Sequence, residues 1–500
     1  MTGSGDQTPF RSSLALESTF SPEYLRYYRV LPLSMGDELQ VAYHGDLQRD
    51  VEEHLAIVFG RPLHKEYCEL DTLQRAIAAS FDGTEVKRSL GSENESDESD
   101  GSTSVADARD LALQPPVIRL VNTTIRDAVR ARASDVHFEA TPSGLSVRIR
   151  VDGVLHALSP PDRQMQPAIV SRLKLLADLN IAEQRRPQDG RLRIRLNEAE
   201  LDIRVSTVPT LHGESVVLRL LRTDTGAATL DSLGLPRQTQ DVLADLVSRS
   251  HGLLIATGPT GCGKTTTLHA LLSCRATGRE KVITVEDPVE YQVPGVTQVP
   301  VIAAAGMTFA SALRGILRQD PDVVMVGEMR DRETAAIAAQ AAMTGHLVLS
   351  TLHTNDALSA VARLQDLGVE PFLVASTLIG VLAQRLVRVL CTTCRQRGSG
   401  TVLVPAAPEA GWLDVSPFYS ARGCDECRGS GYRGRTGIYE LLPITSAMRE
   451  LLARSAAPHE LKHLTEVEGM QRIQLDAAAK VAAGITSADE VRRVLGGGSA

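Results

Sequence analysis

The chain has 500 residues, a formal net charge of −8, 43% hydrophobic residues and 23% charged residues. This length predicts about three domains, and the composition is typical of a globular protein. The acidic net charge and an aromatic content of 4% argue against broad nucleic-acid binding. No stretch reaches the roughly 18 apolar residues of a membrane span, and the polar N-terminus does not resemble a signal peptide. We therefore expect a cytoplasmic protein.

Residues 1–86 are predicted to form a small α/β adapter domain. A strand is expected over residues 39–43 and helices over 51–59 and 70–81, and the region carries no chemical motif. Residues 87–108 follow as a predicted flexible linker, because the stretch 90–104 holds five acidic residues, no basic residue and almost nothing apolar.

Residues 109–225 are predicted to form an α+β domain built on an antiparallel sheet. A helical apolar pattern is followed by alternating segments, with Asp152-Gly153 as a hairpin turn. Between Val117 and Arg222 there are 17 basic and 12 acidic residues, and 16 of the basic residues are arginines. Two explanations fit this balance: a solvated basic surface, or a face that meets phosphate or an acidic neighbour.

Residues 226–500 contain a P-loop pattern. An apolar run predicted to be a strand leads into Gly-x4-Gly-Lys-Thr, and a predicted helix follows. The glycines let backbone N–H groups surround an anion at a helix N-terminus. The pattern predicts a nucleoside triphosphate site, with Lys264 at the β- and γ-phosphates and Thr265 holding Mg²⁺. The candidate binding residues are Gly258, Pro259, Thr260, Gly261, Cys262, Gly263, Lys264, Thr265 and Thr266.

Acidic residues end two further predicted strands of this core. The first strand leads to Glu286 and Glu290, at the sheet edge where α/β proteins bind ligands. Taken alone, this segment is better explained by a strand that simply ends in a turn at Asp287-Pro288. The second strand ends in Gly327-Glu328, where a generic P-loop ATPase has Asp-Glu. Gly327 therefore replaces the aspartate, and Glu328 remains as the residue that polarises water.

Two histidines flank a fourth predicted strand of the core. His346 precedes this strand and His353 follows it. A single histidine is more often structural than catalytic, but the edge of a nucleotide-binding sheet favours function. His353 is predicted to sense the γ-phosphate.

Four cysteines form two Cys-x2-Cys pairs, with 29 residues between the pairs. Two such turns can place four thiolates around one zinc ion, and a closed site of this kind is structural. The spacing exceeds the usual range, so a folded excursion is expected between the pairs, within a module at residues 388–435. A redox pair is the alternative. The predicted zinc ligands are Cys391, Cys394, Cys424 and Cys427.

Four segments of the core, at residues 284–291, 313–322, 327–331 and 344–356, together resemble the secretion ATPases. That family comprises type II secretion ATPases, type IV pilus assembly ATPases and their retraction relatives, and the resemblance runs from about Tyr24 to the C-terminus. It implies an α/β fold: a RecA-like P-loop ATPase core, preceded by an α+β, PAS-like domain and a small N-terminal α/β adapter. The tetracysteine zinc-binding insertion resembles that of the secretion and pilus-assembly members.

The resemblance also implies roles for individual residues. Two acids lie in the family's Asp box, Glu328 is the catalytic glutamate, and both histidines form the His box. Arginines of the middle domain and of the core stabilise charge on the transferred phosphoryl group, within one subunit or across a subunit boundary. The implied catalytic residues are Lys264, Glu286, Glu290, Glu328, His346, His353, Arg204, Arg219, Arg314 and Arg318.

The function implied by the resemblance is Mg²⁺-dependent ATP hydrolysis that powers type II secretion, by a homo-hexamer at the cytoplasmic face of the inner membrane. Residues 1–86 are expected to bind the cytoplasmic domain of the inner-membrane L protein, and the platform protein F is a further expected partner. Membrane contact is then indirect, and no nucleic acid is expected. The alternatives are a pilus assembly ATPase, a nucleic-acid translocase, and a binding module with an inactive P-loop.

Overall fold

The structure is a computed structural model that describes residues 12–14, 16, 20, 22–47, 49–88, 111–196, 199–222, 228–302, 305–406 and 411–496. The chain divides into two compact units, Met1–Thr225 and Gly226–Ala500. Almost all of the predicted linker at 87–108 lies outside the described residues; its first two residues belong to a helix that ends at Arg88. Within the described part, no helix is both long enough and apolar enough to cross a membrane.

The first unit begins with a three-stranded sheet and three helices. Its elements are α1 (Pro22–Tyr28), β1 (Val30–Met35), β2 (Leu39–Tyr43), α2 (Arg49–Phe59), β3 (Leu63–Tyr67) and α3 (Leu70–Arg88). β1 pairs antiparallel with β2, and β2 pairs parallel with β3. Buried leucines from the strands and helices form the core. β3 is mostly exposed and shows no alternation, which is why its pattern does not identify it as a strand.

A six-stranded antiparallel sheet follows in the same unit. Its elements are α4 (Pro115–Arg130), β4 (Asp135–Thr141), β5 (Gly144–Val151), β6 (Val154–Ala157), α5 (Gln166–Leu176), β7 (Gln188–Leu196), β8 (Ala199–Thr210) and β9 (Gly213–Arg222). The strand order is β6-β5-β4-β9-β8-β7. One face of the sheet packs its alternating apolar residues against α4 and α5. Polar residues occupy the opposite face, as strand alternation requires.

The second unit contains a seven-stranded sheet. Its first elements are α6 (Arg237–Ser248), β10 (Gly252–Thr257), α7 (Lys264–Arg275), β11 (Val282–Glu286), β12 (Val296–Pro300), α8 (Phe309–Ile316), β13 (Val323–Val326), α9 (Arg332–Met343), β14 (Leu347–Leu352), α10 (Ala357–Asp366), α11 (Pro371–Thr377) and β15 (Leu378–Leu390). The remaining elements are β16 (Gln396–Arg397), β17 (Val402–Pro405), β18 (Trp412–Val415), β19 (Tyr419–Ser420), β20 (Tyr432–Pro443), α12 (Ser446–Ala453), α13 (Pro458–Val467), α14 (Ile473–Ala482) and α15 (Ala488–Leu495).

The order of this sheet is β12-β11-β13-β14-β10-β15-β20. All neighbouring strands are parallel except β20, which pairs antiparallel with β15. The central strands are buried along their whole length, as expected for a parallel sheet covered on both faces. Strands alternate with helices, and the α/β class predicted for the core is confirmed.

Candidate functional site

The P-loop connects β10 to α7 through a backbone that only glycine can adopt. Gly258 has φ 146°, and a Cβ there would lie 2.4 Å from the carbonyl oxygen of Gln384. Gly263 has φ 87° and is the N-cap of α7. The side chain of Gln384, on β15, donates to the Cys262 carbonyl at 2.8 Å. The P-loop is therefore shaped by the close approach of its backbone to β15, and its exposed N–H groups suit a phosphate chain.

Lys264 lies at the first position of α7 and faces this loop. Its Nζ donates to the carbonyl oxygens of Gly258 at 2.8 Å and Pro259 at 3.1 Å. Burial lowers the pKa of Lys264, and the neighbouring Cys262 and Glu328 oppose that shift. The ammonium group carries three donors, so one remains for a phosphate oxygen. Thr265 follows in the first turn, half-buried, where its hydroxyl suits a magnesium ion.

The sheet order brings the other predicted residues to the same edge. β11, β13, β14 and β10 are consecutive neighbours, and all four run in the same direction. Their carboxyl ends therefore lie side by side and carry Glu286, Glu328, His353 and the P-loop in turn. This is the edge at which open α/β sheets bind ligands.

Glu328 follows β13 and makes two contacts with basic side chains. Its carboxylate lies 2.5 Å from Nε of Arg330 and 3.5 Å from Nε2 of His353. The preceding Gly327 is closely packed, because a Cβ there would lie 3.2 Å from the Val285 carbonyl oxygen and 3.3 Å from the Phe309 ring. Packing at Gly327 thus leaves little room for the aspartate that generic P-loop enzymes carry at this position.

Glu286, at the end of β11, is buried and accepts hydrogen bonds from three side chains. Thr284 donates at 2.7 Å, Gln298 at 2.9 Å, and Nε2 of His269 lies at 3.1 Å. Burial alone would raise the pKa of Glu286, but these donors outweigh it and lower the pKa below its usual value. Glu290, by contrast, is exposed. His269 lies on α7, and the sequence pattern did not identify it as part of the site.

The two predicted histidines lie at opposite ends of β14. His353 follows the strand at the P-loop edge, and the next residue, Thr354, bonds Thr257 through the two hydroxyls at 2.7 Å. His346 precedes the strand, and its carbonyl accepts from the Gly252 N–H at the start of β10. The structure therefore does not bring His346 and His353 together within one chain, because the extended strand β14 lies between them.

The predicted arginines lie in both units. In the second unit, Arg314 and Arg318 are exposed at the end of α8; Arg314 pairs with Glu333 at 2.6 Å, and Arg318 donates to the Arg314 carbonyl at 2.9 Å. In the first unit, Arg204 and Arg219 are directly opposite each other on β8 and β9. Their predicted roles in hydrolysis stay predictions.

The four paired cysteines converge in the second unit. β15 and β20 pair antiparallel as far as Leu390 and Tyr432, so the chain leaves and re-enters the sheet at neighbouring points. The four sulfur atoms lie within 4.8 Å of one another. Three of the separations, 3.9, 3.8 and 3.7 Å, match the edge of about 3.8 Å that a tetrahedron with Zn–S bonds of about 2.3 Å requires.

The environment of Cys427 favours a thiolate. Burial alone disfavours the charged form, but backbone N–H groups of Cys424 and Gly431 both donate to its sulfur at 3.1 Å. Together with the neighbouring thiols they lower the pKa of Cys427 to about 6. The donor set therefore fits a zinc ion, with Cys391, Cys394, Cys424 and Cys427 as ligands.

Comparisons with known proteins agree with this geometry. Residues 110–493 match a family model described as "Type II/IV secretion system protein". The chain is 49% identical over 384 residues to the "Type II secretion system protein E" of Pseudomonas aeruginosa, covering 76% of this chain and 75% of that protein. It is 47% identical over 380 residues to the "Type II secretion system ATPase E" of Vibrio cholerae, covering 76% and 75%.

Among solved structures, the fold is similar to that of the ATPase DotB of Legionella pneumophila, with a TM-score of 0.56 and 20% identity. That comparison covers 76% of this chain and 96% of DotB, and it supports the fold alone. The family assignment follows from the sequence matches over most of the chain. The chain belongs to the type II/IV secretion system protein family.

Proposed function

We propose that this chain is the ATPase of a type II secretion system. The observation that carries this proposal is the meeting of Lys264, Glu328 and His353 at one edge of the core sheet, in a chain whose relatives include a protein named type II secretion system ATPase E. It is an enzyme that binds ATP at its P-loop and hydrolyses it.

The residues at this edge have different roles in ATP hydrolysis. Lys264 and the backbone of the P-loop bind the phosphates, and Glu328 accepts a proton from the attacking water. Thr265 would hold Mg²⁺, which neutralises phosphate charge when it is bound. His353 contacts Glu328 at 3.5 Å. Thr354, which follows His353, hydrogen-bonds Thr257, the residue before the P-loop. Through this contact, loss of the γ-phosphate is transmitted to β14.

Further residues are proposed to complete the site. Arg204 and Arg219 in the middle domain, at 109–225, and Arg314 and Arg318 in the core neutralise charge on the transferred phosphoryl group. A homo-hexamer accommodates arginines supplied by a neighbouring subunit. The exposed positions of Arg314, on α8, and of Arg318, just beyond the end of α8, support such a role.

The proposed partners and location follow from the same assignment. Residues 1–86 bind the cytoplasmic domain of the inner-membrane L protein, and the platform protein F receives the mechanical work of the ATPase core at 226–500. The protein then acts at the cytoplasmic face of the inner membrane through these partners. Zinc in the tetracysteine site holds the module at 388–435 in place and takes no part in hydrolysis, because four thiolates leave no open position.

Phosphate release from ATP by the full-length chain with Mg²⁺ tests the enzyme assignment. We expect Lys264→Ala to lose both nucleotide binding and hydrolysis, and Glu328→Gln to bind ATP while hydrolysing it at least 100-fold more slowly, since a general base contributes about 10²–10⁴-fold. Lys281→Ala removes an exposed lysine from the same unit and is the control. Hydrolysis at the wild-type rate by either site variant would contradict the proposal.

A further inference from the structure

A buried carboxylate on β20 joins the starts of two helices in the second unit. Glu440 is 3% exposed, and its two oxygens accept from the backbone N–H groups of Ala357 and Ile473, each at 3.2 Å. Ala357 is the first residue of α10, and Ile473 is the first residue of α14. N–H groups in the first turn of a helix have no partner within that helix, so the carboxylate satisfies one from each helix.

The surroundings of Glu440 fit a negative charge that is held by backbone groups. Burial raises the pKa of Glu440 and Asp356 adds to that shift, while the two N–H groups and Arg472 oppose it. Both oxygens act as acceptors, as in an ionised carboxylate. The positive ends of two helix dipoles also favour the charge, because both donors lie at helix N-termini.

Residues 353–357, the sensor segment, connect the nucleotide edge of the sheet to this carboxylate. The segment begins at His353, which lies 3.5 Å from the Glu328 carboxylate. It ends at Ala357, whose N–H donates to Glu440. Because Glu440 also binds the first N–H group of α14, the sensor segment cannot move without breaking this link or moving α14 with it.

A second side chain makes a parallel connection on the same face of the sheet. Arg385 on β15 is directly opposite Ile438, which lies two residues before Glu440 on β20, and residues two apart on a strand share a face. The Arg385 guanidinium donates to the side-chain oxygen of Asn355 and to the carbonyl of Val494, each at 3.3 Å. Asn355 lies in the sensor segment, and Val494 lies in α15. Two links therefore run from the sensor segment to the C-terminal helices.

We propose that Glu440 is a positioning residue for ATP hydrolysis, which holds the sensor segment beside Glu328 and couples it to helices α14 and α15. The inference rests on the function proposed above, because it requires that His353 responds to the γ-phosphate. Both oxygens of Glu440 are engaged by backbone N–H groups, so this residue acts through the sensor segment and not on the nucleotide itself. A shift of the sensor segment on loss of the γ-phosphate is then passed to the C-terminal helices.

Glu440→Gln in the full-length chain tests this inference, because the amide keeps the shape but replaces one acceptor oxygen with a donor. We expect kcat for ATP to fall about tenfold, since a displacement of about 1 Å in a positioned group can cost up to about 100-fold. The dissociation constant for ATP and the number of ATP sites per chain should match wild type, because the P-loop keeps its contacts. A partly unfolded preparation would instead have fewer ATP sites.

A double-mutant cycle with His353→Ala shows whether Glu440 acts through the sensor segment. We expect Glu440→Gln to lower kcat less than about twofold in the His353→Ala chain, because the effects of coupled residues are not additive. Asp476→Asn is the matched control: it alters a buried carboxylate of α14 that bonds the Tyr439 N–H and Lys480. The control should change kcat by the same factor in both chains.

Amide hydrogen exchange gives a readout that does not depend on turnover. In wild type, exchange within α14, at residues 473–482, should differ between the chain bound to MgADP and the chain bound to Mg²⁺ with a non-hydrolysable ATP analogue. Glu440→Gln should abolish this difference, whereas Asp476→Asn should retain it.

If Glu440→Gln does not fold, Arg385→Ala tests the second link at a half-buried side chain, and its effect on kcat should likewise shrink in the His353→Ala chain. Three results would overturn the inference and leave the proposed function standing: equal factors in the two chains, a wild-type kcat in the variant, or no nucleotide dependence of exchange in wild-type α14. A wild-type chain that does not hydrolyse ATP would instead overturn the proposed function, and this inference with it.

Discussion

At the scale of single residues, the carboxylate of Glu286 illustrates a positioning role. Its oxygens are occupied by Thr284, Gln298 and His269, and its side chain is 3% exposed. Nδ1 of His269 is buried without a hydrogen-bond partner in the part of the chain that the structure describes. With a proton on Nε2, the ring donates this hydrogen bond to Glu286. This bond ties the P-loop helix α7 to the end of β11.

We expect Glu286→Gln to lower the free energy of unfolding at pH 7 by about 2 kcal/mol, because three donors then lose a charged acceptor. The pKa of Glu286 is depressed in the folded state. Its contribution is therefore present above the unfolded value of about 4.3, and is lost as the pH falls through the lower folded value. Urea unfolding of wild type and variant at several pH values measures this difference.

The control for Glu286→Gln is Glu290→Gln, on the exposed neighbour in the same segment. Its free energy of unfolding should differ from that of wild type by less than about 0.5 kcal/mol. A Glu286→Gln difference that stays constant from pH 7 to acidic pH would show that the ionised carboxylate is not the stabilising group.

At the scale of elements, the pairing of β15 with β20 explains how distant cysteines form one site. The antiparallel pair ends at Leu390 and Tyr432, so the two Cys-x2-Cys turns meet where the hairpin leaves the sheet. The chain between them folds as two nested antiparallel pairs, with the hairpin of β17 and β18 enclosed by the pair of β16 and β19. The folded excursion expected from the long spacing between the pairs is therefore present.

Removal of zinc should loosen this module. We expect a strong chelator, or Cys424→Ser, to lower the melting temperature by about 5 °C or more, since a structural zinc site contributes its binding energy to folding. Metal analysis of the purified chain should find one zinc per chain. Cys274→Ser replaces an exposed cysteine that already bonds a backbone carbonyl, and this control should melt like wild type. A zinc-free chain that melts like wild type would argue against the site.

The parallel pairing of β14 with β10 explains the positions of the two histidines. The sequence places His346 and His353 on either side of one short strand, and its pattern alone does not distinguish the two ends. Parallel pairing of β14 with β10 places the start of β14 beside Gly252 and its end beside Thr257, next to the P-loop. Only the histidine after the strand therefore reaches the P-loop edge of its own chain.

At the scale of the whole molecule, features built from residues close in sequence could be predicted, and features built from long-range contacts could not. The P-loop, Gly327-Glu328 and the cysteine pairs depend on residues that are close in sequence, and periodicity identified the strands that carry them. Gln384 contacts a loop 122 residues away, and His269 becomes recognisable only when β11 brings Glu286 beside it. The position of Arg204 directly opposite Arg219 likewise depends on strand register, which the alternation of residues does not specify.

The measurement that tests the central assignment most directly is a pull-down with the full-length chain from detergent-solubilised inner membrane, with identification of the bound proteins by mass spectrometry. We expect recovery of the type II secretion L protein, and loss of that recovery when residues 1–86 are deleted. Lys264→Ala, which removes nucleotide binding, should still recover it. Recovery of pilus-platform proteins in place of the L protein would contradict the secretion assignment and leave the ATPase chemistry intact.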